Sequence, residues 1–194
     1  MHHFPALPRT LKSLDLSKNY SLGLYLEQPD ETYDLPLLES LKCESTCISG
    51  VSLNALILKS VKSGNLKRLD ISRTNVDPDT YSPGSSEYLA SPTVEELSLA
   101  GLTSNAGTAS MLGERHIIAI VKCYPNVKEL DVSRTKVTGV AVKEFVSMGI
   151  KWLNLSECTE VGRDAVEYAQ GKGVEVEFKF PSRCGRTTFR ELYN

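Results

Sequence analysis

Val127-Lys128-Glu129-Leu130-Asp131-Val132-Ser133-Arg134-Thr135 carries the pattern that decides the fold. Its apolar residues stand at the first, fourth and sixth places, and a small polar residue follows three places after the last of them. The same spacing occurs at Leu11-Leu14-Leu16, Leu38-Leu41-Cys43, Leu66-Leu69-Ile71, Val94-Leu97-Leu99 and Ile150-Leu153-Leu155, with a degraded seventh copy at Val174-Val176-Phe178. In an extended chain, residues two apart point to the same side. Leu130 and Val132 therefore face one way, and Glu129, Asp131 and Ser133 the other. A strand this short cannot bury its apolar side alone. Parallel copies stacked side by side, with their return segments behind them, can.

The middle apolar residues, 14, 41, 69, 97, 130, 153 and 176, are separated by steps of 27, 28, 28, 33, 23 and 23. A strand motif of this kind recurring at about 20–29 residues is the signature of leucine-rich repeats. The sequence thus predicts an α/β leucine-rich-repeat solenoid, with a curved parallel sheet on the concave side and helices and loops on the convex side. Residues 1–180 form one domain of six repeats plus a terminal strand, and 181–194 a C-terminal tail. A doubly wound sheet also alternates strand and helix. It is disfavoured because no glycine-rich phosphate loop follows the first strand, and because it has no need of one strand motif repeated six times.

Three places after each strand come Asn19, Thr46, Thr74, Thr135 and Cys158, side chains able to bond backbone groups where the chain leaves the strand. Leu102 breaks this series in the repeat with the longest step, and an irregularity is expected there. Helical spacing appears at Leu53, Leu56, Ile57 and Val61, ending at Gly64, and again over 111–123, 138–147 and 162–170. The stretches 28–34, 77–93 and 104–113 read as loops, the second holding Pro78, Pro83, Gly84 and Pro92.

The 22 basic and 24 acidic residues leave a formal charge of -2, which argues against nucleic acid and anionic membranes as partners. No apolar run approaches the roughly 20 residues of a membrane helix, and Met1-His2-His3-Phe4-Pro5 does not open a secretory signal. The repeat starts almost at once, as expected of part of a longer chain. Five cysteines, an odd count, point to free thiols and a reducing compartment, the nucleus or cytoplasm. Cys43 and Cys47 have no second pair at zinc spacing, so no metal or other cofactor is expected.

The run Cys123-Tyr124-Pro125-Asn126-Val127, followed by Thr135-Lys136-Val137-Thr138-Gly139-Val140 and by Cys158-Thr159-Glu160-Val161, resembles cysteine-containing leucine-rich repeats. These are similar to the repeats of F-box/leucine-rich-repeat proteins, the substrate receptors of SCF-type ubiquitin ligases. As fold the resemblance covers nearly the whole chain, and as subclass about residues 120–180. Gly173-Val174-Glu175-Val176-Glu177-Phe178-Lys179-Phe180-Pro181 further resembles the last repeats of fungal F-box proteins with a tetratricopeptide region, receptors linked to the replisome. The chain departs from this family in carrying no F-box. The resemblance implies a substrate-binding domain that meets a Skp1-type adaptor only through a segment not present here.

No nucleophile elbow, H-E-x-x-H or P-loop occurs, and an enzyme is not expected. Glu95 and Glu96 are adjacent on a strand and point to opposite faces, so they cannot act as one acid–base pair. His116, with no partner motif, reads as a surface or satisfied histidine. The informative surface is the outward face. Its residues form rows across the strands: Ser13, Ser40, Arg68, Glu96, Glu129, Trp152; then Asp15, Lys42, Asp70, Ser98, Asp131, Asn154; then Ser17, Glu44, Ser72, Ala100, Ser133, Ser156; and at the strand exit Lys18, Ser45, Arg73, Gly101, Arg134, Glu157. A solvated carpet of cross-strand pairs is the plainer reading of most of them. Trp152, the single tryptophan, is placed outward, and tryptophan is enriched at interface hot spots. Packing against the seventh strand or the tail is its alternative. Arg73 and Arg134 share the string Ser-Arg-Thr and could hold a carboxylate or phosphate. Arg68, Arg73, Arg134, Trp152, Asp131 and Asn154 are the candidate partner-binding residues. The tail, with Arg183, Arg186 and Arg190 among Phe189, Leu192 and Tyr193, could cap the stack, lie across the face or stay disordered.

Overall fold

The computed structural model describes residues 7–20, 33–48, 50–76, 90–104 and 110–179. The tail 181–194, most of the loop 77–93, the acidic stretch 28–32 and Cys184 lie outside the described residues.

Each apolar motif forms a three-residue strand: β1 (Ser13–Asp15), β2 (Ser40–Lys42), β3 (Arg68–Asp70), β5 (Glu96–Ser98), β8 (Glu129–Asp131), β9 (Trp152–Asn154) and β10 (Glu175–Glu177). These seven make one all-parallel sheet in chain order. The register is constant, so Leu14, Leu41, Leu69, Leu97, Leu130, Leu153 and Val176 stand in a line. The five inner members of that line are 0–2% exposed, while Leu14 and Val176, at the two ends, are only partly buried. An end strand has one neighbour instead of two, and the first and last residues lose cover accordingly.

Helices return the chain behind the sheet: α1 (Gly50–Lys62) before β3, α2 (Glu114–Lys122) before β8, α3 (Gly139–Ser147) before β9 and α4 (Arg163–Gly171) before β10. Their buried residues fall at helical spacing: Leu53, Leu56 and Ile57; Ile117, Ile120 and Val121; Ala141, Val142 and Phe145; Ala165, Val166 and Ala169. They join the strand leucines in one core, and α2 packs on α3 and α3 on α4. The end of α3 shows how a helix is turned back into a strand. Gly149, at φ 87°, bonds Val146 O, and Ile150 N bonds Phe145 O. This left-handed stop frees Ile150 to begin the next strand motif. No helix of the described residues is long and apolar enough to cross a membrane.

A second, three-stranded sheet joins β4 (Asn75–Val76), after β3, in parallel to β6 (Thr103–Ser104), which is antiparallel to β7 (Ser110–Met111), the last two lying in the long step between β5 and β8. Leu102 leads into it. Instead of bonding a carbonyl as the threonines do, its side chain is fully buried and extends the core.

Candidate functional site

The surface is built from one turn repeated at six strand exits. Lys18, Ser45, Arg73, Gly101, Arg134 and Glu157 all take left-handed backbone, with φ of 64°, 56°, 53°, 60°, 58° and 61°. For the five that are not glycine this conformation is strained. Three sets of bonds hold it. The N–H of each turn residue donates to a carbonyl of the next strand segment, for example Arg134 N to Ser156 O at 2.9 Å and Glu157 N to Lys179 O at 2.8 Å. Asn19, Thr46, Thr74 and Thr135 donate from their side chains to the carbonyl three residues back, at 2.6–2.8 Å. Finally, the carboxylates of Asp15, Asp70 and Asp131 and the amide oxygen of Asn154 accept from the N–H two residues on, at 2.8–3.0 Å.

That last set gives Asp131 and Asn154 a structural occupation. Each has its Oδ1 engaged by its own turn, and Asn154 Nδ2 donates to Asp131 Oδ2 at 3.3 Å. Both remain partly exposed. Arg73 and Arg134 stand on the strand-exit edge beside Gly101, but the carboxylates they meet are the chain's own: Arg73 Nη1 lies 3.5 Å from Glu44, and Arg134 Nη2 donates to Glu157 at 2.8 Å. The Arg134 bond holds the Glu157 carboxyl below its ordinary pKa. Gly101 leaves the space between the two arginines open, since a Cβ there would meet Arg73 Cγ at 3.4 Å and Arg134 Cβ at 3.9 Å. A polar depression of about 380 Å³ follows this edge.

The opposite edge, where the strands begin, alternates in charge. Lys12 pairs with Glu39 at 2.8 Å and Lys128 with Glu95 at 3.0 Å, and Lys67 stands between the two acids as a further favourable charge. This is the solvated cross-strand ladder that parallel rows of opposite charge produce.

Between the edges lies the open face. A depression of about 240 Å³ runs over it from β2 to β9 and is lined by Lys42, Arg68, Asp70, Glu96, Glu129 and Trp152 among others. Trp152 is partly exposed there. Its in-register neighbours are Glu129 on one side and Glu175 on the other. Arg68 approaches Glu96 only to 4.0 Å, with both side chains about half exposed. Of the six candidate residues, the structure brings Arg68, Asp131 and Trp152 to this depression, and Arg73, Arg134, Asn154 and again Asp131 to the one along the exit edge. Arg73 and Arg134 stand on the exit edge, and Asp131 and Asn154 serve the turns. Missed in the sequence was Glu175, whose strand, the degraded seventh copy, was left out of the outward rows although it continues them in register.

Three of the four described cysteines are core residues. Cys43, Cys123 and Cys158 are buried free thiols, and Cys47 is exposed. Burial pushes the Cys123 thiol up to about 12, and burial with Asp70 and Asp15 nearby does the same to Cys43. Cys158 is raised mainly by burial, and its thiol bonds Val132 O in the preceding repeat at 3.2 Å. None of the three is a thiolate at neutral pH, so none is poised as a nucleophile. Among the described residues no group of three His, Cys, Asp or Glu could hold a metal ion. His116 differs from expectation, because its Nδ1 is buried with no hydrogen-bond partner among the described residues. No family model matches the chain, and no curated protein matches it significantly.

Proposed function

We propose that this chain is a leucine-rich-repeat solenoid that holds another protein on its open face. The observation that carries the reading is the open face itself. Seven parallel strands in constant register present their outward side chains on a surface that no other described element covers, with the single tryptophan partly exposed on it. The identical left-handed turn at six strand exits supports repeats stacked as one solenoid, which also favours a concave inner surface.

The more specific reading is the substrate-recognition domain of an SCF-type ubiquitin-ligase receptor in the nucleus or cytoplasm. It is supported by the cysteine-type repeats over about residues 120–180. In this reading the Skp1-type adaptor is bound through an F-box outside these 194 residues. A second reading is a free-standing scaffold or regulatory binding protein without a ligase link.

Affinity purification of the full-length protein and of its Trp152→Ala variant tests both levels. Recovery of the adaptor by both proteins, with a third protein recovered only by the parent, is the expected result. No adaptor with either protein selects the scaffold. Equal recovery of every partner by parent and variant overturns the open face as the binding surface.

A further inference from the structure

Charge on the open face is divided unevenly. The outward strand positions of β1, β2 and β3 include Lys42 and Arg68 among their polar residues. Those of β5, β8, β9 and β10 are Glu96, Ser98, Glu129, Asp131, Trp152, Asn154, Glu175 and Glu177, without one basic side chain. Part of this acidity is compensated. Arg68 faces Glu96, Lys179 bonds Glu177 at 2.9 Å, and Asp131 accepts from its turn and from Asn154. Glu129 and Glu175 have no ion pair among the described residues, and they are the two that flank Trp152. Adjacent strands are about 4.8 Å apart, so the register sets Trp152 between two acids without an ion pair among the described residues, each within one side chain's reach.

An aromatic face beside carboxylates has a definite chemical preference. The indole attracts a cation through its quadrupole, more strongly than any other side chain, and carboxylates on either side add charge-assisted hydrogen bonds. A guanidinium satisfies both demands, since its plane stacks on the ring while its edge N–H groups reach outward to the acids. Acidic partners and nucleic acid are repelled by the same arrangement. Asp131 lines the same depression beside Glu129, whereas its far end holds Lys42 and Arg68, so a segment whose basic residues gather at the Trp152 end fits it.

We infer that the Trp152 region, flanked by Glu129 and Glu175, docks an arginine-bearing, extended basic segment of a partner protein. This rests on the reading of the open face as the binding surface and specifies the chemistry of what it takes.

The lone tryptophan makes the site its own reporter. The probe is a blocked octapeptide alternating arginine and glycine, titrated into the full chain while Trp152 emission is followed. A glutamate–glycine octapeptide of the same length is the control. Saturable change with the arginine peptide and none with the glutamate peptide is expected. E129Q/E175Q weakens the arginine peptide about tenfold, whereas E160Q/E167Q, which removes the same charge from the far side, leaves it unchanged. Equal weakening by both pairs, or a response to both peptides, overturns the inference as general electrostatics. No response at all also overturns it. Natural-partner capture by full-length E129Q/E175Q separates the two levels: capture lost in Trp152→Ala and kept in E129Q/E175Q leaves the binding face standing and removes its cation specificity.

Discussion

The Glu114 carboxylate, on the first turn of α2, caps the next helix by accepting from the Thr138 side chain and N–H and, at 3.1 Å, from Ala141 N. Thr138 in turn accepts from Val140 N at 3.1 Å. One acid thus bonds a neighbouring helix where that helix's own amides have no partner and its dipole is positive. Burial opposes ionisation of Glu114, but the bonds from Thr138 and Ala141 outweigh it and hold its pKa below the ordinary value.

Glu114→Ala is therefore expected to lower stability by about 1–2 kcal/mol at neutral pH, the size of a lost helix cap. Because the folded pKa is depressed, the ionic contribution is fully present above the unfolded carboxyl value, near ~4.3, and disappears as pH falls through the lower, folded value. Urea unfolding at a series of pH values should show parent and variant converging only below about pH 4. A gap that stays constant to the bottom of that range would mean the charge contributes nothing.

The left-handed turns allow a paired test. Ser45 takes φ 56° and Gly101 φ 60° at equivalent places. Ser45→Gly removes the Cβ strain at the expense of a more flexible unfolded chain, for a net gain of up to about 1 kcal/mol. Gly101→Ala introduces that strain and presses on Arg73, for a loss of about 1–2 kcal/mol. Opposite signs in thermal or chemical unfolding are the expected outcome. The same sign for both would show that backbone conformation does not dominate at these turns.

Leu102 invites an apparently corrective change that should fail. Threonine stands at the equivalent place in three other repeats and bonds the carbonyl three residues back. Leu102, however, is 0% exposed. Leu102→Thr exchanges core volume for one hydrogen bond worth about 1 kcal/mol, while a buried leucine truncated this far costs about 2–4 kcal/mol. Denaturant unfolding should find the variant less stable than the parent. A more stable Leu102→Thr would mean that the repeat motif overrides its local packing.

These cases mark what the sequence could and could not convey. Strand positions were legible because burial imposes a period of two, and helices because it imposes the 3.6-residue one. The hairpin after Leu102 was not, since its short strands have too few residues to display a period. The engagement of Asp131 by Ser133 N and of Arg134 by Glu157 was hidden for another reason. Residues on an outward row look alike in a sequence whether they bond their own turn, a neighbouring repeat or a partner, and the Asp131 carboxylate meets the Ser133 N–H only in the folded turn. Glu175 escaped because Val174-Val176-Phe178 lacks the leading spacing of the other copies, although β10 pairs with β9 in the common register.

Thiol chemistry gives the last prediction. Cys47 is exposed and Cys43, Cys123 and Cys158 are buried, the last bonded to Val132 O of the repeat before it. A thiolate attacks an aromatic disulfide only where the reagent can reach it, and burial withholds Cys43, Cys123 and Cys158 on both counts, while Cys47 is exposed. At mildly alkaline pH the native protein should release the chromophore rapidly from Cys47. Cys43, Cys123 and Cys158 should react only as fast as the chain opens, and all should react at once in denaturant. Replacing Cys47 and Cys184 by serine isolates the slow set, whose rate should rise when Cys158→Ala removes the bond to Val132 and leaves a small void between repeats. Fast labelling of Cys43 or Cys123 in the folded protein would contradict the packing that places them behind the sheet. An unchanged slow rate in Cys158→Ala would show that this contact does not limit the separation of one repeat from the next.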